Sequence, residues 1–170
     1  MPRRYFYDTE FIEYPHTIDL ISIGMVSDQG TEYYAINSEC NFSKASAWVK
    51  ENVIAKLPPR SSIWKSRQQI ANDVIEFIKP AVKSGVELWG YVSAYDYVAL
   101  CWLFGPMINL PNGMPIFTRD IQQLAWHLGN PQLPPQPKKQ HDALEDARWV
   151  RAAYKFLDTY AAMYRYPIRV

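Results

Sequence analysis

The 170-residue chain sets 18 Lys and Arg against 17 Asp and Glu, a formal net charge of +1. A composition of 48% hydrophobic and 21% charged residues excludes a disordered chain, and the lack of a basic surplus argues against a protein that coats long stretches of nucleic acid. The length is that of one ordinary domain, so residues 1–170 are expected to fold as a single unit around one core.

Aromatic and β-branched residues predict a first strand from Arg4 to Glu13, and the mostly apolar TIDLISIGMV a second from Thr17 to Ser27. Asp28-Gln29-Gly30 is a turn signal, and Thr31 to Ser38 reads as a third strand, giving an antiparallel meander. Ser43 to Leu57 reads as a helix ended by Pro58 and Pro59, and Ser66 to Lys83 as a longer amphipathic helix that Pro80 kinks or shortens. A fourth strand is expected at Val86 to Tyr95, then a helix from Asp96 to Leu103 and a Pro/Gly/Asn loop from Gly105 to Pro115. Ile116 and Phe117 are candidates for a short fifth strand, followed by a helix at Arg119 to Leu128. Gly129 to Lys139 carries too many prolines for regular structure, and Asp142 to Tyr164 makes a long final helix. This order predicts an α/β sandwich around a mixed, five-stranded sheet.

The start, MPRRYFYDTEF, lacks the apolar stretch of a signal peptide, and the run from Val98 to Phe104 is too short to span a bilayer. Cys40 and Cys101 stand apart without metal-ligand or disulfide spacing. A cytoplasmic protein with reduced thiols is the expectation. The 6 Trp and 12 Tyr supply stacking surfaces, although most of these rings are expected to fill the core.

The chemistry is carried by acidic residues in apolar settings. Asp8 and Glu10, two apart in YFYDTEF, leave the same face of the first strand, where two carboxylates can share a cation. Asp96 follows the apolar strand of WGYVSAYDYVAL, at the end where α/β sheets gather functional groups, and an N-cap is its bland explanation. In HDALED, Asp142 and Glu145 have the spacing of a capping box, which leaves Asp146 one turn into the helix to face the sheet. His141 is expected in the preceding loop, on a mount suited to a proton carrier. A buried carboxylate without a partner costs several kcal/mol, and divalent cations that favour oxygen ligands would remove that cost. A water-facing strand and a surface histidine are the plain alternatives for each piece alone.

Taken together, Asp-x-Glu on a first strand, Asp after a later strand and His-x4-Asp at a late helix resemble the signature of the DEDDh 3′–5′ exonucleases. The sister tyrosine group would place Tyr at position 142, where this chain has Asp142. The stretches YFYDTEFIE, HTIDLISIGMV, EYYAI, IWKSRQQI, ELWGYVSAYDYVALCWLFGPM and HDALEDAR are similar to the polyadenylate-specific 3′-exoribonuclease AS (RNase AS) family, over about residues 3 to 150. The resemblance implies an RNase H-like fold, a homodimer, and dependence on Mg²⁺ or Mn²⁺. It also implies removal of nucleotides from RNA 3′ ends with adenylate preferred.

On that reading Asp8, Glu10, Asp96 and Asp146 hold two Mg²⁺ or Mn²⁺ ions about 3.5–4 Å apart, as in two-metal sites generally. His141 takes the proton of the attacking water, since histidine ordinarily titrates near working pH. Similar enzymes imply that Glu10 also meets the terminal ribose. Phe11 is a candidate wedge against the last base, or equally core. Lys138 and Lys139 are candidates for phosphate contact, or a solvated basic pair, and Arg67 for RNA contact across a dimer. An exodeoxyribonuclease of proofreading or repair type, a silent nucleic-acid-binding domain and a purely structural domain are the rival readings.

Overall fold

A computed structural model describes residues 2–136 and 140–164, so the candidate phosphate contacts Lys138 and Lys139 and residues 165–170 lie outside the described residues. Among the described residues six strands form one sheet: β1 (Arg3–Tyr14), β2 (Thr17–Ser27), β3 (Glu32–Asn37), β4 (Trp64–Lys65), β5 (Val86–Gly90) and β6 (Arg119–Asp120). Their spatial order is β4-β3-β2-β1-β5-β6. The long β1–β2–β3 meander is antiparallel, as expected, while β4, β5 and β6 add parallel to their neighbours. The helices are α1 (Ala47–Asn52), α2 (Arg67–Ile78), α3 (Ala94–Trp102), α4 (Ile121–His127) and α5 (Ala143–Met163).

Strand alternation sorts the core. Tyr5 and Tyr7 point to one face of β1, under Ile70, Val74 and Ile78 of α2 and Leu100 of α3. Phe6 points to the other, under Leu124 of α4 and Trp149, Ala153 and Leu157 of α5. Farther along that second face, Ile12 packs with Ile21, Cys40 and Val53 beneath the α1 region. The central strand is therefore covered on both sides, and Asp8 and Glu10 lie on the α5 side between Phe6 and Ile12.

Several expectations are corrected. The sheet has six strands, not five, because the two-residue β4 pairs Trp64 and Lys65 with Ile36 and Asn37. Ile116 and Phe117 are exposed loop, and the last strand is Arg119–Asp120 beside Trp89 and Gly90. The helix expected over Ser43 to Leu57 is broken into 3-10 turns at Phe42–Lys44 and Ile54–Lys56 around the short α1. Extended Ala45 ends the first turn, and the Ser46 hydroxyl, accepting from the Val49 N–H, starts a new helix. α2 stops at Ile78 and tightens into a 3-10 turn at Lys79–Ala81, the effect expected of Pro80. β5 ends at Gly90, short of Tyr95. Asp142 caps α5 by accepting from the Leu144 and Glu145 N–H groups, but the Glu145 carboxylate pairs with Arg148 at 2.7 Å. No described helix is long and apolar enough to cross a membrane.

Candidate active site

Asp8 lies opposite Gly24 in the β1–β2 ladder. A Cβ built on Gly24 would stand 2.2 Å from the Ala143 carbonyl oxygen, closer than any side chain can come. The missing side chain lets the first turn of α5 lie directly on the sheet beside Asp8. One carboxylate oxygen each from Asp8, Glu10 and Asp146 then lie within 4.8 Å of one another. Gly24 was missed by sequence reasoning; its signal was an isolated glycine inside an otherwise apolar strand.

Asp96 arrives by another route. β1 and β5 pair only as far as Phe6 and Trp89, after which the strands part. The Asp96 Oδ1 accepts from the Thr9 N–H at 3.0 Å and the Thr9 hydroxyl at 2.7 Å, satisfying backbone that β5 has left. Ser93, not Asp96, is the N-cap residue of α3, so the capping explanation for Asp96 does not hold. The turn before α3 is fixed in its place by Asp120, whose Oδ2 accepts from the Ser93 N–H at 2.8 Å while its Oδ1 caps α4. Thr9 and Asp120 are further residues that sequence reasoning passed over.

His141 sits in the loop before α5 with φ +65°, a left-handed conformation. Its N–H and that of Asp142 donate to the Asp146 Oδ2 at 2.9 and 3.2 Å. The imidazole meets the Trp48 ring edge-to-face at 4.8 Å, and Lys56 Nζ donates to the neighbouring Gln140 carbonyl at 3.2 Å. The loop is thus tied to α5 and to the α1 region. Asp8, Glu10, Asp96, His141 and Asp146 all line one cleft of about 530 Å³.

Electrostatically the cluster is strained. Burial pushes the Asp8 carboxyl well above its usual range, with the charges of Asp96, Glu10 and Asp146 adding to it. Glu10 is pushed up to about 8, first by burial and then by Asp146 and Asp96, with Lys56 opposing. Burial also raises Asp96 against its Thr9 hydrogen bonds, and Asp146 against the two backbone donors. An all-oxygen donor set this close and this reluctant to ionise fits a hard divalent cation, which would let the carboxylates charge together.

Of the residues expected to meet substrate, Glu10 and Phe11 both line the cleft. Phe11 is partly buried and stacks on Tyr95, with ring centres 6.1 Å apart and planes 14° apart. Arg67 is elsewhere: it does not line the cleft, and its guanidinium donates to the buried Asp19 carboxylate at 2.6 Å.

Residues 3–157 match the family described as 3′-5′ exoribonuclease Rv2179c-like domain. The chain belongs to this family. The 3′-5′ exoribonuclease Rv2179c of Mycobacterium tuberculosis H37Rv is 53% identical over 146 residues, covering 85% of this chain and 87% of that protein. The 3′-5′ exoribonuclease MT2234.1 of the CDC 1551 strain matches to the same extent. Among solved structures, one described as 3′-end specific recognition of histone mRNA stem-loop by 3′-exonuclease aligns with TM-score 0.57 and 12% identity. That alignment covers 93% of this chain, which spans 64% of the length of that one. A full-length 3′-exonuclease aligns with TM-score 0.53 and 12% identity over 93% of this chain and 83% of that one. At such identity these likenesses speak to the fold, an RNase H-like α/β arrangement of a mixed sheet flanked by helices. The exoribonuclease family to which the chain belongs makes it an enzyme.

Proposed function

We propose that the protein removes nucleotides from RNA 3′ ends, releases 5′-mononucleotides and prefers adenylate tails. The observation that carries the reading is the meeting of Asp8, Glu10 and Asp146 oxygens within 4.8 Å in a cleft where each carboxyl resists ionisation. Asp8, Glu10 and Asp146, with Asp96 alongside, would hold two Mg²⁺ or Mn²⁺ ions. Such ions, when bound, polarise a phosphoryl oxygen and make water a better nucleophile. Glu10 and Phe11 orient the terminal nucleotide: Glu10 at its ribose, Phe11 against its base. His141, held at the cleft wall by Trp48 and by its own N–H bond to Asp146, accepts the proton released by the attacking water. The names of the mycobacterial relatives support the RNA substrate and the 3′-to-5′ direction. Adenylate preference and a homodimer are supported by the resemblance to the RNase AS family.

The test is digestion of 5′-labelled RNA and DNA carrying different 3′ homopolymer tails, with Mn²⁺ or with EDTA. A ladder shortening from the 3′ end, fastest on adenylate-tailed RNA and stopped by EDTA, is expected. Asp8→Asn should abolish it, and His141→Ala should slow it by about 10²–10⁴-fold, the range for a lost general base. Equal digestion of matched DNA would sink the substrate assignment. Loss of metal binding in His141→Ala but not in Asp146→Ala would reverse the assigned roles.

A further inference from the structure

Beside the cleft lies a second hollow of about 620 Å³, lined by Tyr14, Pro15 and His16 of the β1–β2 hairpin and by Tyr95 and Trp102 of α3. Glu13 lines both hollows, and Phe11 of the cleft stacks on Tyr95 of the hollow, so the two adjoin. Tyr95 and Trp102 are seven apart on α3 and so share a helix face, yet they are 50% and 49% exposed. On a helix whose Ala99, Leu100 and Cys101 are buried, this pair leaves about half of each ring open to a partner. His16, with a left-handed φ of +64° at the hairpin tip, also lines the hollow.

The geometry points to a stacking platform for the nucleotides that precede the 3′ end, with Trp102 as its outer ring. The inference rests on the exonuclease reading of the cleft. From Glu10 to Tyr14, four residues of β1 span about 13 Å at the usual strand rise. Stacked nucleotides rise about 3.4 Å each, so roughly four fit between the cleft and the far side of the hollow. No lysine or arginine is among the described residues that line the hollow, so phosphate pairing is not its means of grip. Aromatic faces take any base, so the platform would add dependence on strand length and leave base preference to the cleft. Grip behind the terminal nucleotide would thus come without tying the strand to one register.

The experiment compares wild-type protein with Trp102→Ala, Trp102→Phe and Trp102→Leu on an RNA dinucleotide and an RNA decamer. For Trp102→Ala the decamer KM should rise by about 5- to 150-fold, the span expected for one lost base–aromatic stack, with dinucleotide hydrolysis unchanged. Trp102→Phe should recover most of the loss and Trp102→Leu little of it. Raising salt should not shrink the ratio between wild type and variant, because stacking carries it. Equal effects on both substrates, or full recovery by Leu, would overturn the platform while leaving the exonuclease reading intact. A change in sedimentation of Trp102→Ala would instead assign the hollow to a second copy of the chain and overturn the platform. A wild-type protein that hydrolyses neither substrate would bring down the exonuclease reading itself.

Discussion

Without divalent cations the protein should lose stability as pH rises from about 5 to 8.5, the reverse of ordinary acid denaturation. In the fold Glu10 is pushed from 4.5 up to about 8, so the folded state binds its proton more tightly than the unfolded chain does. Below pH 4.5 both states are protonated and the cost is absent; above about 8 both are ionised and the cost is complete. At about 1.4 kcal/mol per pKa unit, the 3.5 or so between these values makes Glu10 alone worth at most roughly 5 kcal/mol. Asp8, raised by burial and by four acidic neighbours, acts in the same direction. That bound is comparable with the whole stability of many domains, and at about 2–4 °C per kcal/mol the melting temperature should fall by no more than roughly 10–20 °C on this account.

The assay is thermal unfolding followed by circular dichroism across that pH range, in EDTA and in Mn²⁺. Saturating Mn²⁺ should raise the melting temperature most at high pH and flatten the profile; 100 times Kd corresponds to about 2.7 kcal/mol. Glu10→Gln should also flatten the metal-free profile, which separates the carboxylate from the protein's histidines. A metal-free melting temperature that is level or rises between pH 5.5 and 8.5 would refute the electrostatic reasoning. So would a Glu10→Gln profile as steep as the wild type's.

Two other substitutions probe how the site is built. Gly24→Ala should drive the α5 N-terminus off the sheet, since a Cβ there meets Ala143 backbone at 2.2 Å. Displacing Asp146 by about 1 Å should cost roughly 10²-fold in turnover, and unchanged turnover would show that the close approach is not what sets the site. Val92, 63% exposed with φ +52°, holds a β-branched side chain in a left-handed conformation between β5 and α3. Val92→Asn should stabilise the protein by about 1 kcal/mol in urea titrations, because Asn tolerates that conformation and no packing is lost.

Asp8, Glu10 and Asp96 were legible because an ionisable group in an apolar run is a local anomaly, whereas His141 and Asp146 were read from their spacing at a helix start. Asp8 and Glu10 stand out between Tyr5 and Ile12, and Asp96 between Tyr95 and Tyr97, without knowledge of any partner. The long strands were legible for a similar reason: β2 was expected at Thr17 to Ser27 and is found there. Two-residue strands leave no periodicity, so β4 and β6 became visible only once their partners were in place. The broken helix around α1 escaped because Ser46 and Ala45 act through backbone conformation, which hydrophobic spacing does not encode.

The chain's order of residues thus determined which groups are chemically out of place and which face of a strand they leave. What brings them together depends on contacts between segments distant in sequence: Gly24 admitting α5, Thr9 engaging Asp96, Trp48 against His141. Each is a matter of clearance or of a partner for a polar atom, and neither has a value until the sheet is assembled. The same holds for the aromatic rings. Composition counted them, but only burial separated Tyr5 and Tyr7 in the core from Tyr95 and Trp102 on the surface.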